Sequence, residues 1–369
     1  MQSRAAIAFE SRQPLEIGTI EVAPPRSGEV LVEVAATGVC HTDAVMLDGE
    51  NPRAPFPAVL GHEGAGVVVE RGPDVTGVQA GDHVIPLYCP ECGECAHCRS
   101  HRTNICWGIR DTRDRGVMPD GTSRLTYGDA AIHHFMGTST FSNYTVVPEV
   151  ALAKVRKDAP LDRVCLLGCA VTTGVGAALN DANIRPGDTV AVFGLGAVGL
   201  NAVQGARLAG AERVIGIDIN PAKAAVAREL GATDFIDPKD VDGRVVACVS
   251  DMTNGGVDAA IECAGGVNVM EDALNACRVG WGTCVLTGVE GKGEEMAVPP
   301  GLLRYGRSLK GSYFGSVRSR SELPGYVDMY MNNQIAIDPL VSHEVSLDEI
   351  NDAFDKMRSG AATRSVVRF

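Results

Sequence analysis

The sequence has no long hydrophobic run, no excess of basic residues and no repeat or low-complexity segment. No stretch approaches the roughly 18 apolar residues of a membrane-spanning helix, so we expect no membrane association. Asp and Glu outnumber Lys and Arg by 46 to 33, a formal net charge of −13 over 369 residues, which argues against binding to nucleic acid. Glu10 interrupts the N-terminal apolar residues too early for a signal peptide. We therefore expect a soluble, cytoplasmic protein.

Cysteine, in contrast, is abundant. The chain contains 12 cysteines, and five of them fall between residues 89 and 106. Cytosolic proteins rarely use such a cluster for disulfide bonds, because the compartment is reducing. Closely spaced cysteines in that setting more often bind metal. The composition therefore predicts a metalloprotein.

The spacing of apolar residues divides the chain into domains. Through residue 171, short alternating strands such as EVLVEVAATGV are separated by Gly and Pro, which predicts a small, mainly β, barrel-like domain. From residue 172 to 313, strands alternate with helical patterns, as in DTVAVFG and RVIGID. That alternation predicts an α/β domain with a doubly wound parallel sheet. We expect residues 314–369, with one helix and a terminal strand, to return to the first domain.

Four of the clustered cysteines follow a metal-ligand spacing, Cys92-x2-Cys95-x2-Cys98-x7-Cys106. Tight turns can bring four thiolates at this spacing around one Zn²⁺ ion in a tetrahedron. Because four protein ligands leave no open position, such a site stabilises the fold and does not catalyse. Iron–sulfur ligation and four reduced, unliganded thiols stay open as alternatives. Cys89 lies outside the spacing, and we expect it to take no part.

A second set of candidate ligands is dispersed along the chain: Cys40, His62, Glu63 and Cys169. Each alone could be a buried core residue, as lone cysteines usually are. However, Cys40 and His62 each end an apolar run at a glycine-rich turn, and Cys169 comes just before the predicted domain boundary. A Cys₂His set leaves zinc a fourth position for water or substrate, which is the catalytic arrangement. Glu63 would be a transient ligand or a neighbour of the site, and Asp43 a candidate acceptor for the His62 ring N–H.

The third motif, Gly194-x-Gly196-x-x-Gly199, directly follows a predicted strand and opens a predicted helix. Glycines at this spacing let the backbone approach a pyrophosphate at a helix N-terminus. Asp218 closes the next strand, where its carboxylate would bind ribose hydroxyls and repel a 2′-phosphate. The motif therefore predicts NAD and not NADP. A glycine turn that only packs a helix against a sheet stays open as the alternative.

Together these motifs resemble the zinc-dependent medium-chain alcohol dehydrogenases, most closely the class III type. The resemblance runs almost end to end and rests on GVCHTDA (38–44), LGHEGAGVV (60–68), CGEC (92–95), TNIC (103–106), MPDGTSR (118–124), MGTSTFSNYTVV (136–147), VCLLGC (164–169), VFGLGAVGL (192–200) and DEINDAF (348–354). It implies a Rossmann cofactor domain and a GroES-like catalytic domain whose structural-zinc loop spans residues 89–107. It also implies two zinc ions per subunit, one catalytic and one structural.

The resemblance further implies roles for individual residues. Thr42 matches the hydroxyl that takes the substrate's proton, and His41 matches a catalytic-site residue beside the cofactor pyrophosphate. The remaining matches are Glu63 behind the catalytic metal, Lys223 with Asp218 at the adenosine ribose, Arg364 at the pyrophosphate, and Arg110 at a carboxylate of a glutathione adduct. A solvated surface arginine stays open as the alternative for Arg110.

Three positions depart from the class III pattern. Asn51 and Arg53 occupy places where class III members carry acidic residues that help to hold glutathione. Arg53 reverses a charge there and could repel a ligand ammonium or attract a carboxylate. Val45 stands where some relatives have a proton-relay His or a Tyr, and a valine cannot carry a proton.

The expected activity is therefore the NAD-dependent oxidation of a primary alcohol, with S-(hydroxymethyl)glutathione as the implied substrate and reduction of S-nitrosoglutathione as a second reaction. The same scaffold acting on another long-chain, aromatic or acidic alcohol without glutathione stays open. A non-catalytic zinc- and NAD-binding redox sensor is the alternative from another class. The resemblance also implies a homodimer joined through the sheet edges of the cofactor domains, with CVLTGV as the candidate edge segment. A tetramer stays open as the alternative.

Overall fold

A computed structural model describes residues 1–50 and 55–369 of the chain. The chain divides into two compact units. The first unit contains Met1–Cys169, Arg318–Asn333 and Ile337–Phe369, and the second contains Ala170–Val317 and Gln334–Ala336. The sequence predicts domain boundaries after residues 171 and 313. In the structure, the two units change over after residues 169 and 317.

The regular elements are numbered in chain order within the described residues. The strands are β1 (Gln2–Ala8), β2 (Glu16–Val22), β3 (Glu29–Val39), β4 (Ala58–Val59), β5 (Glu63–Arg71), β6 (His83–Pro86), β7 (Leu125–Tyr127), β8 (Ala130–His134), β9 (Tyr144–Pro148), β10 (Leu152–Val155), β11 (Thr189–Phe193), β12 (Arg213–Ile217), β13 (Asp234–Ile236), β14 (Ala259–Glu262), β15 (Thr283–Leu286), β16 (Ser308–Gly311), β17 (Val341–Val345) and β18 (Arg364–Arg368). The α-helices are α1 (His41–Leu47), α2 (Ala96–Arg99), α3 (Arg110–Asp114), α4 (Leu161–Val164), α5 (Ala170–Gly176), α6 (Ala197–Leu208), α7 (Ala224–Leu230), α8 (Val245–Thr253), α9 (Val267–Ala276), α10 (Pro300–Arg304), α11 (Ser319–Met331) and α12 (Ile350–Arg358).

The first unit is mainly β. Strands β1, β2, β7, β8 and β4 close into a small barrel, and a second sheet has the order β10-β6-β5-β3-β18-β17, with β9 also paired to β3. Strand β3 is rich in Val and Ala and is buried along almost its whole length, as expected for a central strand. Its register pairs Gly38 with Glu63 on β5 and Val39 with Ser365 on β18. These two pairings bring distant parts of the chain to one end of β3.

The hydrophobic core of the first unit is formed by residues from both ends of the chain. Ile7 and Leu60 pack in one buried cluster with Phe141 and with Phe354 of α12. The C-terminal residues thus belong to the same core as the N-terminal barrel. This explains why the last helix and strand do not continue the sheet of the second unit.

The second unit contains a six-stranded parallel sheet in the order β13-β12-β11-β14-β15-β16. The chain enters at β11, runs outward to β13, and then returns to β14 on the other side of β11. The strand order therefore reverses between β11 and β14, where doubly wound folds bind ligands. The predicted doubly wound α/β domain is confirmed. The segment CVLTGV, however, includes β15, which pairs with β14 and β16, so the expectation that it forms the sheet edge is wrong.

None of the described helices is by itself long and apolar enough to cross a membrane. One bent pair of helical segments, 161–168 and 170–181, passes the same length and composition test together, as the core helices of proteins outside membranes also can.

Candidate active site and metal centres

The four cysteines at 92, 95, 98 and 106 come together in one cluster. Cys95 precedes α2, Cys98 lies on it, and Cys106 follows the short 3₁₀ turn Thr103–Ile105. All four sulfur atoms lie within 4.8 Å of one another, and the Cys92–Cys98 and Cys95–Cys106 pairs are each 3.9 Å apart. A tetrahedron with zinc–sulfur bonds of about 2.3 Å has sulfur–sulfur distances of about 3.8 Å. The spacing therefore fits a single zinc ion.

Backbone N–H groups and charge also suit a cation in this cluster. The N–H of Cys95 donates to the Cys92 sulfur at 3.4 Å, and the N–H of Gly108 donates to the Cys106 sulfur at 3.3 Å. Burial and the neighbouring thiols raise the pKa of Cys98. Burial opposes ionisation of Cys95, but hydrogen bonds from the backbone and from neighbouring thiols lower its pKa to about 6. A divalent metal among the four sulfur atoms would favour the thiolate form of all four.

The candidate metal ligands that are dispersed along the chain also lie close together in the structure. Donor atoms of Cys40, His62, Glu63 and Cys169 lie within 4.8 Å of one another, and all four residues are buried. Cys40 directly follows β3, His62 directly precedes β5, and Cys169 follows the 3₁₀ turn Cys165–Gly168. The Cys169 hydrogen bond and the charge of Arg364 lower the pKa of Cys40, although burial opposes this. A thiolate at Cys40 is the form that binds metal.

Asp43 connects the parts of this cluster. Its Oδ1 atom lies 3.0 Å from Nδ1 of His62 and accepts the backbone N–H of Gly61 at 3.1 Å, while its Oδ2 atom accepts the backbone N–H of Cys40 at 3.1 Å. A carboxylate only accepts hydrogen bonds, so Nδ1 of His62 carries a proton, and in the neutral ring the lone pair is on Nε2. That Nε2 atom is buried and has no hydrogen-bond partner among the described residues. A buried lone pair of this kind fits a metal ligand.

Glu63 and Arg364 form a buried ion pair at the same place. Arg364 Nη2 lies 3.2 Å from Oε1 of Glu63, and Nη1 donates to the Val39 carbonyl at 2.8 Å. Burial raises the pKa of Glu63 to about 7, although the charge of Arg364 opposes this. From the family resemblance, Arg364 is predicted to contact the cofactor pyrophosphate, and its ion pair with Glu63 is not predicted. No local signal could have found this pair, because the two residues are separated by most of the chain.

His41 and Thr42 are the first two residues of α1, directly after Cys40. His41 is exposed and Thr42 is half-buried. Val45 is half-buried on the same helix. Both predicted catalytic residues, His41 and Thr42, thus lie at the start of the helix that follows the candidate ligand Cys40.

In the second unit, the three glycines of the predicted cofactor motif join β11 to α6. Gly194 has φ +85°, and a Cβ atom on Gly199 would clash with the Gly194 carbonyl oxygen, so both positions favour glycine. Gly196 precedes the first residue of α6, and a Cβ atom there would meet nothing within 4 Å. The open space beside a helix N-terminus fits a bound pyrophosphate.

Asp218 follows β12 and is 9% exposed. Its Oδ2 atom accepts the backbone N–H of Leu195 at 2.7 Å and lies 3.3 Å from Nζ of Lys223. Its Oδ1 atom accepts the N–H of Asn220 at 2.8 Å. The structure therefore brings Asp218, which the motif predicts as a ribose-binding group, and Lys223, which the family resemblance implies, to the loop that contains the glycines.

Glu262, which ends β14 beside the glycine loop, is not among the site residues predicted from sequence. Its carboxylate is fully buried, and Oε1 accepts the backbone N–H groups of Ala264 and Gly265, both at 2.7 Å. Ala264 in turn lies against Gly194, where a Cβ atom would approach it to 2.9 Å. An acidic residue closing a parallel strand, like Asp218 after β12, was the available signal.

Of the three candidate substrate residues, Arg110 is the one that lies within the described residues. Arg110 begins α3, and its side chain is 43% exposed, with Nε 3.6 Å from Oδ2 of Asp114. Its guanidinium carbon lies 5.9 Å from the centre of the Trp107 ring. Asn51 and Arg53 lie outside the described residues.

Comparison with known proteins gives a consistent result. Residues 26–157 match the family described as alcohol dehydrogenase GroES-like domain, and residues 197–332 match the family described as zinc-binding dehydrogenase. S-(hydroxymethyl)glutathione dehydrogenase of Escherichia coli O1:K1 is 55% identical over 369 residues, which cover 100% of both chains. Among solved structures, an alcohol dehydrogenase zinc-binding domain protein from Burkholderia ambifaria is 36% identical, with a TM-score of 0.94 and coverage of 100% of this chain and 99% of that one. Benzyl alcohol dehydrogenase from Acinetobacter calcoaceticus is 32% identical with the same coverage and a TM-score of 0.93.

Proposed function

This chain belongs to the zinc-dependent medium-chain alcohol dehydrogenases, and on that premise we propose that it oxidises S-(hydroxymethyl)glutathione with NAD. The observation that carries the proposal is the buried Cys40–His62–Cys169 set, whose donor atoms lie within 4.8 Å of one another. Full-length identity of 55% to S-(hydroxymethyl)glutathione dehydrogenase supports the choice of substrate.

The residues of the site have separate tasks in this proposal. Cys40, His62 and Cys169 would hold the catalytic zinc, and a set of three protein ligands would leave the metal accessible to substrate. When bound, zinc would lower the pKa of the substrate's hydroxyl group as a Lewis acid, and NAD would accept the hydride. Asp43 keeps the proton of His62 on Nδ1, so that Nε2 can ligate. The second zinc would bind the four cysteines at 92, 95, 98 and 106 and stabilise their loop.

Proton removal is assigned to Thr42. Thr42 follows Cys40 by two residues at the start of α1, and its Oγ1 would accept the proton of the substrate's hydroxyl group while its own hydroxyl proton leaves towards solvent. Val45 on the same helix has no group that can carry this proton further. Glu63 and Arg364 balance each other's charge, and a carboxylate oxygen of Glu63 lies within 4.8 Å of the donor atoms of the ligands.

For the cofactor, we propose NAD. The glycines at 194, 196 and 199 would contact its pyrophosphate, with His41 and Arg364 as additional contacts. Asp218 and Lys223 would bind the adenosine ribose. The carboxylate of Asp218 supports NAD, because a 2′-phosphate placed beside it would meet a like charge.

Substrate choice is the least constrained part of the proposal. Arg110 would bind a carboxylate of the glutathione adduct, and its exposure leaves it accessible to solvent and ligand. Asn51 and Arg53 stand at sequence positions that help to hold glutathione in class III members, and they are proposed as further determinants of substrate. An aromatic or other primary alcohol without glutathione is the second candidate, because benzyl alcohol dehydrogenase has a similar structure.

A homodimer is proposed through the sheet of the second unit. Strand β16 ends that sheet within the described residues, and edge strands can pair with another chain. Val279 and Tyr305, on the segments leading to β15 and β16, are 52% and 60% exposed and would supply apolar area. None of the 12 cysteines, all of which lie within the described residues, is in a disulfide bond, which supports a reducing, cytoplasmic location.

The test is to follow NADH formation by the purified, zinc-containing protein with formaldehyde, in the presence and absence of glutathione. Activity is expected only with glutathione. A panel of primary alcohols runs in parallel, and activity on these without any glutathione effect would favour the second candidate. Cys40→Ser should abolish turnover, whereas Cys248→Ser, a matched change on α8 outside both metal sites, should retain it.

A further inference from the structure

The segment MGTSTFS, residues 136–142, contains hydroxyl groups to which the proposed function assigns no role. Thr138, Ser139 and Thr140 are fully buried, and so is Thr37 on β3. We call these four residues the hydroxyl belt. Buried hydroxyl groups are retained only where they find hydrogen-bond partners, so their partners indicate what the belt holds.

The belt holds the backbone that leads into His62. Thr138 Oγ1 lies 2.9 Å from the Gly61 carbonyl oxygen, and Ser139 Oγ donates to the Val59 carbonyl at 2.8 Å. The backbone N–H of Thr140 donates to the same Gly61 carbonyl at 3.0 Å. Residues 59–61 are therefore fixed immediately before the histidine ligand.

The belt also connects this backbone to the strand that ends at Cys40. Thr140 Oγ1 and Thr37 Oγ1 are 2.7 Å apart, and Thr37 lies on β3 three residues before Cys40. Thr140 packs directly against the glycines on both sides of His62–Glu63. A Cβ atom on Gly61 would approach Thr140 Oγ1 to 2.7 Å, and one on Gly64 would clash with the Thr140 side chain. Thr140 thus touches the segments of both ligands.

From these contacts we propose that Thr140 and Thr37 are positioning residues that set the separation between the Cys40 and His62 ligands. Neither residue touches the metal donors in this arrangement; they act through the backbone of β3 and of residues 61–64. Because ligand geometry determines metal affinity, loss of the hydroxyl bridge weakens zinc retention at this site alone. This inference rests on the proposed function only in assigning zinc to the Cys40–His62–Cys169 set.

The test measures zinc release from the full-length chain into a chromogenic zinc chelator. Wild-type protein should release two zinc ions in two phases. The variants Cys40→Ser and Cys92→Ser each lose one of the two sites, so the phase that disappears in each variant identifies the site it came from. Thr140→Val keeps the branched shape and removes the hydroxyl group. This variant should release the zinc of the Cys40 site about tenfold faster than the wild type. Changes to residues that support metal ligands lower metal affinity by about 10- to 100-fold, and the expected effect is at the lower end of that range. Release from the four-cysteine site should be unchanged.

Three further variants separate positioning from stability. Thr37→Val removes the other half of the bridge and should reproduce the effect. Thr140→Ser restores the hydroxyl group and should restore slow release. Ser142→Ala is the matched control, because Ser142 lies in the same buried segment but bonds Ser3 Oγ at 2.7 Å, away from the ligands. It should lower the unfolding temperature without changing release from the Cys40 site.

The outcomes are distinguishable. Unchanged release from the Cys40 site in both Thr→Val variants would overturn the positioning role while leaving the proposed function intact. Equal acceleration at both zinc sites, or the same acceleration in Ser142→Ala, would also overturn it, since the effect would then be general destabilisation. A wild-type chain that binds zinc only at the four cysteines would contradict the proposed function itself, and the positioning role with it.

Discussion

Oδ1 of Asp43 lies 3.0 Å from Nδ1 of His62, and both side chains are completely buried. Through its second oxygen, Asp43 also accepts the backbone N–H of Cys40. One carboxylate therefore orients the imidazole, requires a proton on its Nδ1 atom and holds the backbone of Cys40. A buried carboxylate with three donors in this arrangement is best explained as support for a metal site.

Asp43→Asn is expected to weaken zinc binding at the Cys40 site by about 10- to 100-fold. An amide can present its oxygen to only one side, so its NH₂ group would face the N–H of either Cys40 or His62. The measurement is the zinc content of the purified chain after dialysis against a chelator. Asp48→Asn, at the other end of α1, is the control and should keep both zinc ions. Full zinc content in the Asp43 variant would contradict the assigned role.

Asp218→Asn should reduce the preference for NAD over NADP by at least about tenfold, which corresponds to about 1.4 kcal/mol. Asparagine can still accept the N–H of Leu195, but it no longer repels a 2′-phosphate. Titration of each reduced cofactor by fluorescence gives the two dissociation constants. Asp240→Asn removes the charge of an exposed acidic residue in the same unit and is the control, in which the ratio of the two constants should not change. An unchanged ratio of the two constants would show that selectivity arises elsewhere.

His134 is expected to make stability depend on pH. Burial, together with the positive charge of Arg124, lowers the pKa of His134 to about 3. Its Nε2 atom accepts the backbone N–H of Arg124 at 3.2 Å, which requires the neutral ring. The unfolded chain takes up this proton below pH about 6.5 while the folded chain does not, so stability falls as pH decreases towards 3.

The measurement compares denaturant unfolding of wild-type and His134→Gln chains at pH 7.5 and pH 5. Between these conditions the stability of the wild type relative to the variant should fall by about 2 kcal/mol, because one proton is involved over about 1.5 pH units. His133→Gln changes the half-buried neighbouring residue and is the control. Any zinc release at low pH would affect this variant as well, although it keeps His134. A difference that does not change with pH would show that His134 titrates normally in the folded protein.

Arg53→Glu tests the charge that departs from the class III pattern. Restoring an acid at this position should increase kcat/KM for the glutathione adduct, because a carboxylate would attract the ammonium group of glutathione. Rates with simple primary alcohols should not change. Arg185→Glu makes the same charge change at an exposed position in the second unit and should have no effect. No change, or a loss, with the adduct would exclude this charge as the determinant of substrate.

Part of this molecule could be predicted because its determinants are local. The four cysteines at 92, 95, 98 and 106 are close enough in the chain that a few turns bring their sulfur atoms together. The glycines of the 194–199 loop are required by local backbone conformation and by close approach, as the positive φ of Gly194 demonstrates. For the same reason, the alternation of strands and helices indicated the parallel sheet of the second unit.

The catalytic cluster could be suggested from sequence, but only the tertiary structure assembled it. The antiparallel register of β3 with β5 pairs Gly38 with Glu63, and the register of β3 with β18 pairs Val39 with Ser365. These two pairings place His62 and Arg364 beside Cys40, and no local pattern specifies them. Sequence by itself determined the ligand types and the local turns, since these depend on side-chain chemistry and backbone conformation. The buried Glu63–Arg364 pair, the hydroxyl belt and the identity of the edge strand were decided by long-range strand register, which depends on how the whole sheet packs.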